Sequence, residues 1–197
     1  MKMFVKLMIR LYYLIMFRVS VEGLENYPLN TGKILCPNHI NYHDPVIIGA
    51  FLPDYVQFMA KKETFKYRIF NPFLYFLGGF PVDREGNDIG AIRTSLRILK
   101  NQNGLLIFAE GTRNKTATPL RAKSGVALLA VKAQVPIIPI TIDSTYKFFS
   151  PIRIVFHPPI TLETLYDTKP SQERLQEETQ KVLEKVYDSM VYYKGWS

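Results

Sequence analysis

Lys33-Ile34-Leu35-Cys36-Pro37-Asn38-His39-Ile40-Asn41-Tyr42-His43-Asp44-Pro45 joins two apolar runs. The first, residues 33–37, reads as a central strand, and the second, residues 45–52, as a short helix ended by Pro53-Asp54. Two of the three histidines in the chain stand between them, with a carboxylate. Histidine exchanges a proton near neutral pH, and a carboxylate on its far ring nitrogen fixes the tautomer and raises its basicity. Four residues separate His39 from Asp44, enough for the turn to fold back and bring the two together. His43 adjoins Asp44, so those two side chains diverge and His43 ranks second. The same residues also make a plain strand–turn–helix junction, with Asp44 as N-cap, Pro45 as first helical residue and Asn38 and Asn41 in the turn. On this stretch alone the two readings carry equal weight.

Working outward, residues 19–28 read as a short strand and turn, and residues 55–60 as a strand. Residues 65–77 are dense in aromatics (Phe65, Tyr67, Phe70, Phe73, Tyr75, Phe76), which suits core packing. Gly78-Gly79-Phe80-Pro81-Val82-Asp83-Arg84 allows close backbone approach and ends in an Arg able to clamp an oxyanion. Asn87 or Asp88 can cap a following helix whose apolar face is Ile89, Ile92, Leu96 and Leu99. Residues 104–109 form a nearly all-apolar run, as a buried parallel strand requires. It leads into Glu110-Gly111-Thr112-Arg113-Asn114, and open α/β sheets bind ligands at the carboxyl ends of their strands. Arg113 is there to clamp phosphate, with Glu110 to orient it or to meet polar groups of a substrate. Lys123-Ser124-Gly125 opens a helix to about residue 133, a second natural anion site. Residues 135–140 read as a strand whose prolines suit an end or edge, and residues 152–156 as another. A closing helix over residues 171–193 sets Leu175, Val182, Val186 and Met190 along one side. The expected fold is α/β: a mostly parallel central sheet flanked by helices.

The 197 residues, 47% hydrophobic and 21% charged, can bury a sizeable core and exclude a disordered chain. A net charge of +8 favours an anionic partner. No nucleic-acid motif is present, and the aromatics sit in apolar runs rather than among basic residues, which disfavours nucleic acid. Cys36 stands alone, so no internal disulfide forms, and its setting is that of a small buried hydrophobe. No metal-ligand cluster is expected, His157 standing by itself before Pro158-Pro159.

Residues 1–18 carry Lys2, Lys6, Arg10 and Arg18, half of the net charge of +8, with no acid before Glu22. As a helix they reach roughly 27 Å, short of a bilayer core. The basic stripe predicts an interfacial helix, lysines toward head groups and aromatics toward acyl chains. The competing expectation is a helix packed on the core of its own domain. Charges through the apolar part argue against a cleaved signal peptide. The expected organisation is therefore residues 1–18 as a membrane-interface helix and residues 19–197 as one domain.

Taken together, the motifs resemble the glycerolipid acyltransferase family, typified by 1-acyl-sn-glycerol-3-phosphate acyltransferases. Asn38-His39 with Asp44 matches its first motif, and Gly79-Phe80-Pro81 through Arg84 its second. Phe108-Ala109-Glu110-Gly111-Thr112-Arg113 matches the third, and the apolar stretch of residues 135–140 the fourth. All four fall in the family's order over residues 19–160, and Lys123 matches the Lys that follows the third motif. The resemblance departs at the amino-terminal side, where a short basic helix stands in place of a long membrane region, and around Lys123, whose flanks are looser.

The resemblance implies transfer of an acyl group from acyl-CoA or acyl-ACP to the free hydroxyl of a lysophosphatidate acceptor. His39 would be the general base and Asp44 its orienting carboxylate. Arg84, Glu110, Gly111, Thr112, Arg113 and Lys123 would form the acceptor's phosphate site. No cofactor and no metal are implied, since a thioester is already activated, and the chain lacks the Gly-x-Ser-x-Gly elbow of acyl-serine hydrolases. The expected setting is the cell membrane, peripheral or monotopic on the cytoplasmic face. Two rivals remain open: a relative using glycerol 3-phosphate, another lysophospholipid or a lyso-aminolipid, and a non-enzymatic basic membrane-binding module.

Overall fold

Among the residues described by the computed structural model, 2–66, 71–83 and 88–195, seven strands form one sheet. In chain order the elements are α1 (Lys2–Met16), β1 (Arg18–Glu22), β2 (Lys33–Pro37), α2 (Asp44–Phe51), β3 (Val56–Lys61), α3 (Asn71–Phe76) and β4 (Gly79–Val82). There follow α4 (Ile89–Lys100), β5 (Gly104–Leu106), α5 (Gly125–Ala133), β6 (Ile137–Ser144), β7 (Pro151–Phe156) and α6 (Gln172–Asp188). The strand order is β1-β7-β6-β2-β5-β3-β4, and every neighbouring pair is parallel except β6 with β7. The α/β, mostly parallel architecture expected from the alternation of elements is the one found.

Side-chain alternation along the strands divides the core between the two faces of the sheet. Ile34, Leu105 and Ile137 point to the face covered by α4, α5 and α6, where they meet Val126, Leu129, Val182 and Leu183. Leu35, Leu106 and Ile138 point to the opposite face, against Ile47 and Phe51 of α2 and Tyr13 of α1. Every residue of β2 and of β6 is buried, as strands covered on both faces must be. Cys36 lies fully inside, and burial pushes its thiol up to about 12, so it serves as a packing residue. Central β2 then delivers residues 38–44 to the middle of the sheet's carboxyl edge. Adjacent β5, paired Leu35 to Leu106, delivers residues 107–114 beside them.

Several expectations need correction. Of the end or edge expected for the prolines, Pro136 does stand at the end, just before β6, but β6 itself, with Pro139 inside it, is an interior strand and not an edge. Pro139 O accepts from His157 N at 3.0 Å, so its backbone faces β7. There the chain bulges through Pro158-Pro159 before Ile160 rejoins Ile137, and no donor is missed. Of the predicted α4 face, Leu99 is buried and Ile92 and Leu96 pack partly buried against the core, whereas Ile89 is 66% exposed; Ala91, Ser95 and Ile98, not predicted, are buried as well. Small Ala91 and Ser95 let the helix sit close to the sheet, and Ser95 Oγ donates to Ala91 O within it. Asp88 is its N-cap, accepting from Ala91 N at 2.8 Å. Asn87, Tyr67 and Phe70 lie outside the described residues, as does the side chain of Phe73. The strand β5 stops at Leu106, three residues before the apolar run ends.

The largest correction concerns α1. Its polar side faces the domain: Lys6 Nζ donates to Leu52 O, at the end of α2, and to Asp54 O at 3.4 Å. The Arg10 guanidinium lies 5.1 Å from the centroid of the Phe51 ring. Desolvation lowers the Lys6 pKa. A cation at a helix C-terminus satisfies carbonyls that have no intrahelical partner. Tyr13 is buried and Phe17 just beyond the helix is nearly so, while Met3, Phe4, Leu7, Met8, Leu11, Tyr12, Leu14 and Ile15 are exposed. The basic stripe therefore anchors the helix to its own domain, and the apolar face looks outward; the side chain of Lys2 is outside the described set. No helix among the described residues is long and apolar enough to cross a membrane.

Candidate active site

Asn38 opens the site. Its Nδ2 donates to Ile142 O at 2.8 Å and its Oδ1 accepts from Ile142 N at 2.7 Å. The side-chain amide thus imitates one more strand residue and continues the β2–β6 ladder where the backbone leaves it. His39 is the next residue, held where the strand ends. Its Nδ1 lies 2.8 Å from Asp44 Oδ2. A carboxylate only accepts, so Nδ1 carries the proton and Nε2 keeps its lone pair. The His39 side chain is 14% exposed and that of Asp44 is 0% exposed, so the carboxylate is dry and the imidazole can still be reached.

Asp44 does not cap α2, as the plain-junction reading expected. It lies inside the first helical turn after His43, and its Oδ2 also accepts from Ile40 N and Asn41 N, both at 2.7 Å. Its Oδ1 accepts from Tyr146 Oη at 2.7 Å. The two readings of the turn thus resolve in favour of a carboxylate that folds the loop back on itself. His43, beside it, points elsewhere: Tyr13 Oη lies 2.7 Å from its Nδ1, and its ring stacks on Tyr146.

The turn after β5 surrounds His39 from the other side. The Phe108 ring lies under the imidazole at 4.1 Å between centroids and 25° between planes. Glu110 Oε1 accepts from His39 N at 3.0 Å, and Asn114 N donates to His39 O. Tyr187 Oη donates to Glu110 at 2.9 Å and accepts from Asn114 Nδ2 at 2.8 Å. Glu110 is only 4% exposed, and burial raises its pKa against the lowering effect of those hydrogen bonds. It therefore braces the backbone of His39; among the described residues it makes no ion pair with Arg113.

Arg113 instead lies over the Tyr42 ring, 3.5 Å from its centroid. Gly111 has φ 69°, and a Cβ added there would meet Lys123 Cε at 2.6 Å, so the glycine both permits the turn and lets the lysine cross it. Lys123 N is tied to Ala109 O at 2.9 Å, and Thr112 is exposed. Arg113, Thr112 and Lys123 thus gather around one turn that is itself bonded to His39. Neither cation is paired with a carboxylate among the described residues. Arg84 lies outside the described residues. No group of three or more His, Cys, Asp or Glu side chains among them is placed to hold a metal ion. Tyr146, Tyr187 and Asn114 were not singled out from sequence; Tyr146 lies 102 positions from Asp44, and no local pattern marks such a partner.

A family model described as Acyltransferase matches residues 18–143. The chain is 34% identical over 122 residues to the 1-acyl-sn-glycerol-3-phosphate acyltransferase of Bacillus subtilis (strain 168), covering 61% of this chain and 60% of that protein. It is 32% identical over 153 residues to the 1-acyl-sn-glycerol-3-phosphate acyltransferase alpha of Mus musculus, covering 76% of this chain and 54% of that one. The chain therefore spans about half to three fifths of the length of these curated relatives. The crystal structure of the 1-acyl-sn-glycerophosphate (LPA) acyltransferase PlsC from Thermotoga maritima matches with a TM-score of 0.72 at 25% identity, covering 95% of this chain and 80% of that one.

Proposed function

The chain belongs to the acyltransferase family, and from that premise we propose that it moves a fatty acyl group from acyl-CoA or acyl-ACP to the free hydroxyl of 1-acyl-sn-glycerol 3-phosphate, giving phosphatidate. The observation that carries this reading is the 2.8 Å contact of His39 Nδ1 with Asp44, which leaves Nε2 as an accessible base. Nε2 takes the proton of the acceptor hydroxyl as its oxygen attacks the thioester carbonyl. The tetrahedral intermediate collapses with loss of the C–S bond, and the thiolate recovers the proton from the His39 imidazolium. Asp44 stabilises that imidazolium. Positioned base catalysis of this kind contributes about 10²–10⁴-fold. A thioester needs no further activation, so the scheme calls on no cofactor.

Arg113 and Lys123, with Thr112 and the Gly111 turn, are proposed to receive the acceptor's phosphate, and Arg84 is proposed as a further ligand. Arg suits a phosphate monoester through its planar fork. Glu110, buried under His39, acts in this scheme by holding the base rather than by touching phosphate.

The acceptor and product are lipids, and we take the exposed face of α1 as the contact with a membrane surface on its cytoplasmic side. Eight large apolar side chains of one short helix lie open there, and exposed Phe148 and Phe149 adjoin its end, Phe149 N donating to Met16 O at 3.0 Å. An apolar patch of that kind marks an interaction surface, and a net charge of +8 favours anionic head groups. In this division residues 1–18 provide the interface helix and residues 19–197 the acyltransferase domain.

The test is an acyl-transfer assay with both donor types against 1-acyl-sn-glycerol 3-phosphate, glycerol 3-phosphate, a second lysophospholipid and a monoacylglycerol. Preference for 1-acyl-sn-glycerol 3-phosphate is expected. Preference for another acceptor reassigns the phosphate site, and no transfer to any acceptor overturns the proposal.

A further inference from the structure

Tyr146 stands on the loop after β6 with φ 54°, a backbone region that large side chains seldom occupy. The loop is pinned there: Tyr146 N donates to Ser144 Oγ at 2.9 Å, and Ser144 Oγ donates to Pro151 O at 2.8 Å. From that position the phenol donates to Asp44 Oδ1 at 2.7 Å. Asp44 Oδ2 already takes three donors, Ile40 N, Asn41 N and His39 Nδ1. Among the described residues, Tyr146 is the one partner of the other oxygen. Burial and the Asp44 charge raise the Tyr146 pKa well above its ordinary value, so the hydroxyl stays protonated and stays a donor.

The ring of Tyr146 is itself held from α1. It stacks on His43 at 5.4 Å between centroids and 24° between planes. Tyr13 Oη lies 2.7 Å from His43 Nδ1, and burial raises the Tyr13 pKa, so that phenol keeps its proton as well. Phe17 stands edge-on to both rings, 6.4 Å from His43 and 6.3 Å from Tyr146. A continuous line of contacts therefore runs from α1 to the carboxylate that orients His39: Tyr13, His43, Tyr146, Asp44.

We propose that Tyr146 is a positioning residue for the His39–Asp44 pair, and that Tyr13 of α1, through His43, and Phe17 just beyond the helix hold Tyr146 in place, so that the seating of α1 sets turnover. The proposal rests on the acyl-transfer reading of that pair. Without the Tyr146 hydroxyl the carboxylate is bonded only through Oδ2, and it can rotate about its terminal torsion and take the imidazole with it. A displacement of about 1 Å in a reacting group costs about 10²-fold, and a rotation held back by three remaining donors costs less. His43 then has a role without touching substrate, as the ring between the helix and the site.

The experiment compares the full-length parent with Tyr146→Phe, Tyr13→Phe and the double variant, all of which keep their rings and stacking. Expected for Tyr146→Phe is a fall in kcat of about tenfold, below the limit just given, with KM and vesicle binding unchanged and a modest fall in melting temperature, since Asp44 Oδ1 loses its donor. Tyr13→Phe lowers kcat less, and the double variant falls no further than Tyr146→Phe alone, because both act through one line of contacts. A second readout needs no substrate: the downfield proton resonance of His39 Nδ1–H should shift or broaden in Tyr146→Phe. Parental kcat and an unmoved resonance in Tyr146→Phe overturn the positioning role. Multiplicative losses in the double variant overturn the link to α1. A parent without acyl-transfer activity, or full activity in His39→Ala, would instead strike the acyl-transfer reading, while the resonance still reports on Tyr146.

Discussion

The loop that carries His39 and the helix that opens the chain lie against each other, yet they are finished in opposite ways. In the loop the polar groups that shape the turn have partners. Asn38 bonds Ile142 twice, His39 N and O are held by Glu110 and Asn114, and Asp44 receives four donors. Such a network is stiff, because breaking any one bond strands a buried group. In α1 one side is tied down by Lys6 and Tyr13, while the other leaves large apolar side chains between 47% and 83% exposed. The loop satisfies its polar groups within the chain, and the helix leaves an apolar face open. Under the proposed function that difference gives chemistry to the first region and association to the second, and it can be pressed from either side.

The largest effect is expected on the open face of α1. Leu11→Glu together with Ile15→Glu should lower the affinity for anionic vesicles about 100-fold, since each buried aliphatic side chain is worth roughly 1.5–3 kcal/mol and 1.4 kcal/mol is a decade. Melting temperature should fall little, because both side chains are exposed, Leu11 by 48% and Ile15 by 59%. Sedimentation with vesicles reads the result, and undiminished binding would move the membrane contact off α1.

On the loop side, Arg113→Ala should lower kcat/KM for 1-acyl-sn-glycerol 3-phosphate by about 10–100-fold, from a charge-assisted hydrogen bond of roughly 1.5–3 kcal/mol. Activity on a monoacylglycerol should be poor in the parent and barely altered by the change. Equal losses on the two acceptors would remove Arg113 from the phosphate site.

Lys6→Met separates the two sides of α1. The variant loses the cation that caps α2 and should cost about 1 kcal/mol of stability, the range of a half-exposed charged contact. Vesicle affinity should be retained. A large loss of vesicle affinity with no change in stability would restore the original expectation of a lipid-facing basic stripe.

The smallest effect lies away from both regions, at His157. Its Nε2 is 2.8 Å from Thr141 Oγ1, and burial, then Lys185 and Arg153, hold its pKa below the ordinary 6.5. The unfolded chain therefore takes up a proton first, so stability is lost as pH falls from about 6.5 through the lower native value. Denaturant midpoints measured from pH 7.5 downward should decline in the parent and decline less in His157→Gln. Parallel profiles would show that another group carries the acid sensitivity.

What sequence revealed and what it hid follow the same division. Central β2 and the approach of Asp44 to His39 were legible because a short apolar run and a four-residue spacing are local signals. Membership of Lys123 in the third-motif turn was legible only through resemblance; the structure gives it a physical basis in the crossing over Gly111. Glu110 was misread, because a carboxylate next to Arg113 in sequence invites a pairing that the fold instead gives to the backbone of His39. The destination of the basic stripe of α1 was missed for a related reason. Periodicity shows that Lys6 and Arg10 share a face, but only the fold shows that the carbonyls ending α2 and the Phe51 ring wait for them. Tyr146 and Tyr187 left no trace, since their partners lie 102 and 77 positions away. The buried β6 escaped because one proline in a strand usually signals an edge, and the bulge at Pro158-Pro159 that accommodates it is visible only in three dimensions.

The central claim is that one histidine of the loop does the chemistry and its neighbour supports it. The direct measurement is turnover of an acyl thioester with 1-acyl-sn-glycerol 3-phosphate by His39→Ala and His43→Ala, side by side, with melting temperatures recorded. The account predicts a loss of about 10²–10⁴-fold in His39→Ala without loss of fold, and at most about tenfold in His43→Ala, where only the bracing of Tyr146 is weakened. Near-parental turnover by His39→Ala, or equal losses in the two variants, would contradict it.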